Sequence, residues 1–251
     1  MSSSLKIGTV NLGRIPRLVA VWARADHGTQ ALPVQGVDLW EARVDLWATN
    51  DLPRIRRQIG LLRATLPVIV TIRGKAEGGQ ATDAGTERAK RYEALLDLAD
   101  AVDIEMAEKQ IVRALKKQCE AQRKTLILSF HDFQRTPPAK TLQAKIRAAE
   151  DLGADVVKLA AMLQSNADVV RLAEVQSNHP RHNLATMGMG RIATLSRLLL
   201  ASLGSVLVYG ALEKAVAPGQ ANVSELTSLL KLVPLEPGPA SHSASNLRKA
   251  A

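Results

Sequence analysis

The sequence predicts an α/β protein folded as one (β/α)8 (TIM) barrel, and three observations carry that prediction. Eight short runs rich in β-branched residues recur along the chain, and amphipathic stretches alternate with them. A length of 251 residues suits one barrel of this kind. The strand runs are RLVAVW (17–22), VDLWEAR (37–43), PVIVTIR (67–73), AVDIEM (101–106), TLILSFH (125–131), ADVVKLA (154–160), HNLATMG (182–188) and SVLVYG (205–210). Helical patterns lie at 51–65, 83–99, 107–122, 139–152, 165–177, 191–203 and 221–231. The link between the first two strands is short, which leaves a helix there in doubt. An open doubly wound sheet is the competing architecture, but no GxGxxG follows the first strand.

Composition agrees with a barrel core. The hydrophobic fraction is 46% with only 3% aromatic residues, so Ala, Val, Leu and Ile must do the packing. No run of 18 apolar residues suggests a membrane span, and the first residues lack the apolar stretch of a secretory signal. The single Cys119 cannot form an internal disulfide, so a reducing cytoplasm is the default. A net charge of +9 fits either an anionic metabolite or a polyanion. The basic residues are spread along the chain, with no zinc-finger or RNP-like signature, which argues against a nucleic-acid partner. The barrel is expected over 1–234, followed by a Pro-, Ser-, Ala- and Gly-rich, poorly ordered tail over 235–251.

In such barrels the chemistry projects from the C-terminal ends of the strands. Strand two ends on Glu41 and Arg43, which share a face with Val37 and Leu39 by alternation. Strand three ends on Thr71 and Arg73 and runs into KAEGG, bringing Glu77 nearby. Strand four offers Asp103 and Glu105, strand five Ser129 and His131, and strand six Lys158. Lys158 lies in ADVVKLAAML, otherwise a wholly buried strand. An unpaired buried ammonium tends to lose its proton, and a neutral amine attacks ketones to give a Schiff base. The competing reading is a structural ion pair with Glu105 or Glu41. His131 ends the adjacent strand, roughly 5 Å away, and is placed to move protons; a packing or capping role is the alternative. His27, His179, His182 and His242 have no such setting. No metal-ligand spacing, phosphate loop or nucleophile elbow occurs.

The segments VDLWEARVDLW (37–47), PVIVTIRGKAEGG (67–79), DIEM (103–106), SFHDF (129–133), GADVVKLA (153–160), MGMGRIATLSR (187–197) and APGQ (217–220) together resemble type I 3-dehydroquinate dehydratase. The resemblance covers about Pro16 to Leu232 in the expected order. It implies a (β/α)8 barrel, syn loss of water from 3-dehydroquinate in the shikimate pathway, no cofactor or metal, and a homodimer. It makes Lys158 the imine-forming lysine, His131 the general acid/base and Glu77 the assisting carboxylate. Glu41, Arg43 and Arg73 then contact substrate hydroxyls, Arg197 holds the substrate carboxylate, and Gln220 belongs to the closing loop. Met187, Met189, Tyr209 and Ala217 complete the expected substrate surface. Four positions depart from the pattern: Val21 and Val216 replace small polar residues, Tyr209 a phenylalanine and Ala193 a glycine. These departures leave open a Schiff-base lyase or aldolase for a related keto acid. A non-catalytic basic binding protein is the alternative from a different class.

Overall fold

Eight parallel strands form one sheet that curls into a barrel, in the order β10-β3-β4-β5-β6-β7-β8-β9. The computed structural model describes residues 5–13, 15–24, 35–83, 85–179, 183–212 and 215–233. The expected tail over 235–251, the link over 25–34, His27, His182 and His242 lie outside them. The barrel strands are β3 (Arg17–Trp22), β4 (Leu39–Arg43), β5 (Val68–Thr71), β6 (Ala101–Glu105), β7 (Thr125–Asp132), β8 (Val156–Met162), β9 (Leu184–Met189) and β10 (Leu207–Ala211). A short hairpin, β1 (Lys6–Ile7) with β2 (Val10–Asn11), precedes them. Its fully buried Ile7 packs with the inward-facing Val19, Leu39, Ile69 and Val156, plugging the N-terminal end of the barrel. Among the described residues no helix is long and apolar enough to cross a membrane.

That end is closed by a repeated device. Asp38, Asp100 and Asp155 stand just before β4, β6 and β8. Their carboxylates accept the N–H of Leu18, Val68 and Leu126, each at the start of the preceding strand, at 2.8, 3.0 and 2.8 Å. Each Asp returns its own N–H to the carbonyl of the same residue. The side chain thus satisfies a strand-end donor that would otherwise be bare. Between β9 and β10 the Ser205 hydroxyl accepts from the Thr186 N–H at 3.0 Å, and the Val206 N–H donates to the Leu184 carbonyl. A side chain and one backbone bond replace the ladder at this seam.

Seven helices cover the outside among the described residues: α1 (Leu52–Arg63), α2 (Gly85–Glu93), α3 (Lys109–Ala121), α4 (Ala139–Asp151), α5 (Asn166–Ser177), α6 (Ala193–Ser202) and α7 (Val223–Leu230). The buried Ile55, Ile59 and Leu62 of α1 recur at helical spacing and pack on the outward face of the sheet. The pattern over 83–99 predicts a longer helix than α2. After Glu93 the chain tightens into i→i+3 turns through Leu95, Leu96 and Leu98, which seats all three leucines against the sheet. Val37, expected to share the inner face with Leu39, instead packs in the outer layer, because β4 begins only at Leu39.

Strand tilt decides which side chains meet inside. Tyr209 registers with Val19 and Val19 with Leu39; Glu41 registers with Ile69 and Ile69 with Ala101; Asp103 registers with Ile127 and Ile127 with Val156. In a tilted barrel the residue at equal height two strands along is offset by about two positions. Tyr209, Glu41, Asp103 and Lys158 therefore form one layer of four from alternate strands, above an apolar layer of Leu207, Leu39, Ala101 and Val156. Tyr92 of α2 braces this arrangement from outside. Its hydroxyl accepts from the Ile72 N–H at 2.8 Å and donates to the Asp103 carbonyl at 2.7 Å. Tyr92→Phe strands both backbone groups in a buried site. We expect it to lower unfolding stability by about 1–3 kcal/mol, seen as an earlier urea midpoint.

Candidate active site

The polar layer is an ionic cluster on an apolar floor. The Lys158 ammonium donates to Asp103 Oδ2 at 2.8 Å and to Glu41 Oε1 at 3.3 Å, and all three side chains are buried. Of the two readings of Lys158, isolated amine or ion pair, the free protein shows the pair. Its partners are Asp103 and Glu41; Glu105, the other expected partner, is engaged elsewhere. The hydrogen-bond register sets Lys158 level with Ser129 and Glu105, but barrel tilt lowers the true neighbour to Asp103. Glu105 accepts from the Gly74 N–H at 2.6 Å and pairs with Arg88 at 3.4 Å.

Asp103 is the hub of the cluster. Its Oδ1 accepts from Arg73 Nη2 at 2.8 Å and from the Ser129 hydroxyl at 2.6 Å, while Arg73 Nη1 donates to that hydroxyl at 2.6 Å. Burial opposes ionisation of Asp103, yet Arg73 and Lys158 hold its carboxyl well below the usual range. Burial likewise opposes the charge of Arg73, and Asp103 and Glu105 reverse this, holding the guanidinium firmly charged. Glu41 Oε1 also accepts from the Thr71 hydroxyl at 2.9 Å. Arg43, one step higher on β4, is fixed by a two-pronged bond to Asp45 at 2.9 and 2.8 Å.

His131 sits two positions beyond the level of Lys158 on the neighbouring strand, where it pairs with Ala160. Glu77 Oε2 lies 2.8 Å from His131 Nδ1 and accepts the His131 backbone N–H at 3.0 Å. With Oε2 as acceptor, Nδ1 carries the hydrogen and Nε2 keeps its lone pair. Burial pushes the imidazole well below its ordinary value, with Arg73 and Lys158 acting in the same direction. Burial lifts Glu77 to about 7, partly opposed by Arg73. The loop carrying Glu77 turns at Gly78, whose φ of 79° suits glycine, and a Cβ at Gly79 would overlap the Arg73 carbonyl.

Arg197 of α6 closes the opposite wall. Its Nη1 donates to the Tyr209 carbonyl at 2.9 Å, while its buried Nε has no hydrogen-bond partner. Burial lowers this guanidinium to about 10, with no described carboxylate offsetting the cost. That is the signature of a cation awaiting an anion. Met187 and Met189 are buried on the inner face of β9. The 215–220 loop is docked nearby: the Gly190 N–H donates to the Pro218 carbonyl at 2.9 Å, and Gln220 Oε1 accepts the Val216 N–H at 3.0 Å.

One cavity at the C-terminal mouth collects all twelve residues singled out from the sequence. Lys158, His131, Glu77, Glu41, Arg43, Arg73, Met187, Met189, Arg197, Tyr209, Ala217 and Gln220 line it, together with Val21, Gly78, Phe133, Ala160 and Val216. The hub Asp103 and its partner Ser129 were visible as polar residues on apolar strands but received no role. Their shared inward face with Lys158 was the available signal. His179, which the sequence sets apart from the strand-end polar groups, bonds Asn183 at 2.7 Å away from the cavity.

The family described as type I 3-dehydroquinase matches residues 23–236. The 3-dehydroquinate dehydratase of Methanococcoides burtonii is 33% identical over 233 residues, covering 91% of this chain and 99% of the relative. The catabolic 3-dehydroquinate dehydratase of Acinetobacter baylyi is 31% identical and covers 92% and 91%. The crystal structure of 3-dehydroquinate dehydratase from Geobacillus kaustophilus superposes with a TM-score of 0.84 at 27% identity, covering 92% of this chain and 96% of that one. The family match spans every cavity residue except Val21, and the chain belongs to the type I 3-dehydroquinase family.

Proposed function

We propose that this chain dehydrates 3-dehydroquinate to 3-dehydroshikimate through an imine on Lys158. The observation that carries the reading is one buried amine sharing a cavity with a carboxylate-oriented imidazole and an arginine that lacks an anion. Arg197 takes the substrate carboxylate, for which a guanidinium supplies a two-pronged fit. Lys158 gives up a proton to His131 Nε2, and its Nζ bonds to the C3 carbonyl carbon as the C=O π bond opens onto oxygen. The former carbonyl oxygen then leaves as water carrying the two protons shed by the nitrogen, relayed by His131, which ends neutral beside the cationic imine. The cationic imine acidifies C2, and His131 Nε2 removes that proton. The resulting enamine expels the C1 hydroxyl, which departs as water with the proton His131 has just acquired. Water then hydrolyses the conjugated imine, releasing product and the free lysine. The net change is one water lost.

Supporting groups hold this geometry. Asp103 and Glu41 fix the Lys158 side chain, and Glu77 fixes the ring of His131, so the reacting atoms meet without reorganisation. The apolar replacements Val21 and Val216 favour, as a second reading, a Schiff-base lyase or aldolase on a related keto acid. Growth of the enone absorbance on adding 3-dehydroquinate separates the two. The resemblance further supports a homodimer, expected to scatter light as twice 27.0 kDa, and a small-molecule substrate as sole partner. Cys119, buried and pushed to about 12 by that burial, suits the reducing cytoplasm we assign.

Borohydride reduction in the presence of 3-dehydroquinate should leave a stable adduct mapped to the Lys158 peptide and absent in Lys158→Ala. His131→Ala should still form adduct while turnover falls about 10²–10⁴-fold; near-full turnover in that variant removes His131 from the mechanism. For pH, the rate kcat/KM should rise along an acidic limb centred near 7, as Glu77 ionises and orients the ring. In Glu77→Gln that limb should move downward, toward the depressed imidazole; a limb unmoved near 7 rules Glu77 out. Linkage gives an independent sign. Between 4.5 and about 7 the folded chain keeps a Glu77 proton that the unfolded chain has lost. Glu77 therefore costs stability as pH rises through that window, and Glu77→Gln should remove the slope it contributes.

A further inference from the structure

Tyr209 carries the only hydroxyl among the described side chains lining the cavity. The residue is buried, and its oxygen has no hydrogen-bond partner. A buried hydroxyl left bare is costly, and the great majority of such groups find partners. Three of the neighbouring carboxylate oxygens, both of Asp103 and Glu41 Oε1, are already engaged. Asp103 accepts from Arg73, Ser129 and Lys158, and Glu41 Oε1 from Thr71 and Lys158. The wall supplied by Val216 offers nothing polar.

Its position says what the hydroxyl is for. Tyr209 completes the layer of Glu41, Asp103 and Lys158, and the Lys158 nitrogen lies 3.8 Å from the centre of its ring. A ketone carbon bonded to that nitrogen is therefore held beside the phenol, with its neighbouring ring carbons within reach of the hydroxyl. Burial, reinforced by Glu41 and Asp103, pushes the phenol well above its ordinary value, so it stays protonated and can donate. An alcohol is both donor and acceptor. Glu41 supplies only acceptors, so a ligand hydroxyl in this layer is fully satisfied when Glu41 accepts from it and a second group donates to it.

We propose that the Tyr209 hydroxyl is a specificity-determining donor to the substrate hydroxyl on the carbon beside the ketone, C4 of 3-dehydroquinate. The layer thereby selects α-hydroxy ketones. This inference rests on the imine-forming reading of Lys158.

The test compares the full-length protein with Tyr209→Phe on 3-dehydroquinate and on its 4-deoxy analogue, alongside thermal unfolding of the free proteins. We expect Tyr209→Phe to lower kcat/KM for 3-dehydroquinate about 3–10-fold, mostly through KM, and to leave the 4-deoxy analogue within about twofold of the unaltered protein. The free variant should melt at a higher temperature, because a bare buried hydroxyl has been removed. Equal losses on both substrates, no loss on 3-dehydroquinate, or a lower melting temperature would each overturn the assignment. The two readings fail separately. If the unaltered protein forms no borohydride-trapped adduct with 3-dehydroquinate, the imine reading falls and takes this one with it. If the adduct forms but both proteins behave alike, only the role of Tyr209 is lost.

Discussion

Everything at the mouth of this barrel depends on Asp103 being ionised at a site without solvent. A lone carboxylate there would be prohibitively costly, so the surrounding positive charges are required for the layer to exist. Arg73 and Lys158 meet that requirement, with Ser129 donating the remaining hydrogen bond. The consequence runs both ways. The carboxylate fixes where the Lys158 amine points, and the lysine and arginine keep the carboxylate charged. Removing one member leaves the others uncompensated, a loss of about 3–5 kcal/mol for a buried pair. The Lys158 amine is thus held by the same interactions that allow a polar layer inside an aliphatic barrel.

The two ends of the barrel divide the work. At the N-terminal end Asp38, Asp100 and Asp155 serve the backbone, each accepting a strand-end N–H, and Ile7 plugs the opening. Asp38 and Asp100 also meet Arg17 and Arg63 at 3.3 Å, but these pairs lie at the partly exposed rim, away from the cavity. At the C-terminal end the buried Glu41 and Asp103 face the Lys158 amine, and Glu77 faces the His131 ring, inside the cavity. The same residue type does different chemistry according to what the chain sets opposite it.

Charge is arranged unevenly across the cavity. On the Lys158 side every cation has a carboxylate, whereas the buried Nε of Arg197 lacks a partner. An anion would be drawn to the Arg197 wall, opposite the matched ion cluster. Buried Tyr209 marks the same logic at smaller scale, an unmatched hydroxyl beside a fully matched ion cluster. Both of these unpartnered groups, Arg197 Nε and the Tyr209 hydroxyl, belong to residues that line the cavity.

The sequence by itself determined the eight barrel strands, though not the hairpin at 6–11, together with the helices over most of their length and the residues at the mouth. Alternation put Glu41 and Arg43 on one face with Leu39, and family-like segments marked Lys158, His131, Glu77 and Arg197. Those features are local: a period of two, a period of 3.6, and short motifs all lie within a few residues of chain. Only the tertiary structure decided the partnerships. Read flat, the sheet sets Lys158 beside Glu105; closing it with tilted strands lowers the contact to Asp103 and brings in Glu41 and Tyr209 from strands far apart in sequence. That offset belongs to barrel closure as a whole, so no single segment encodes it.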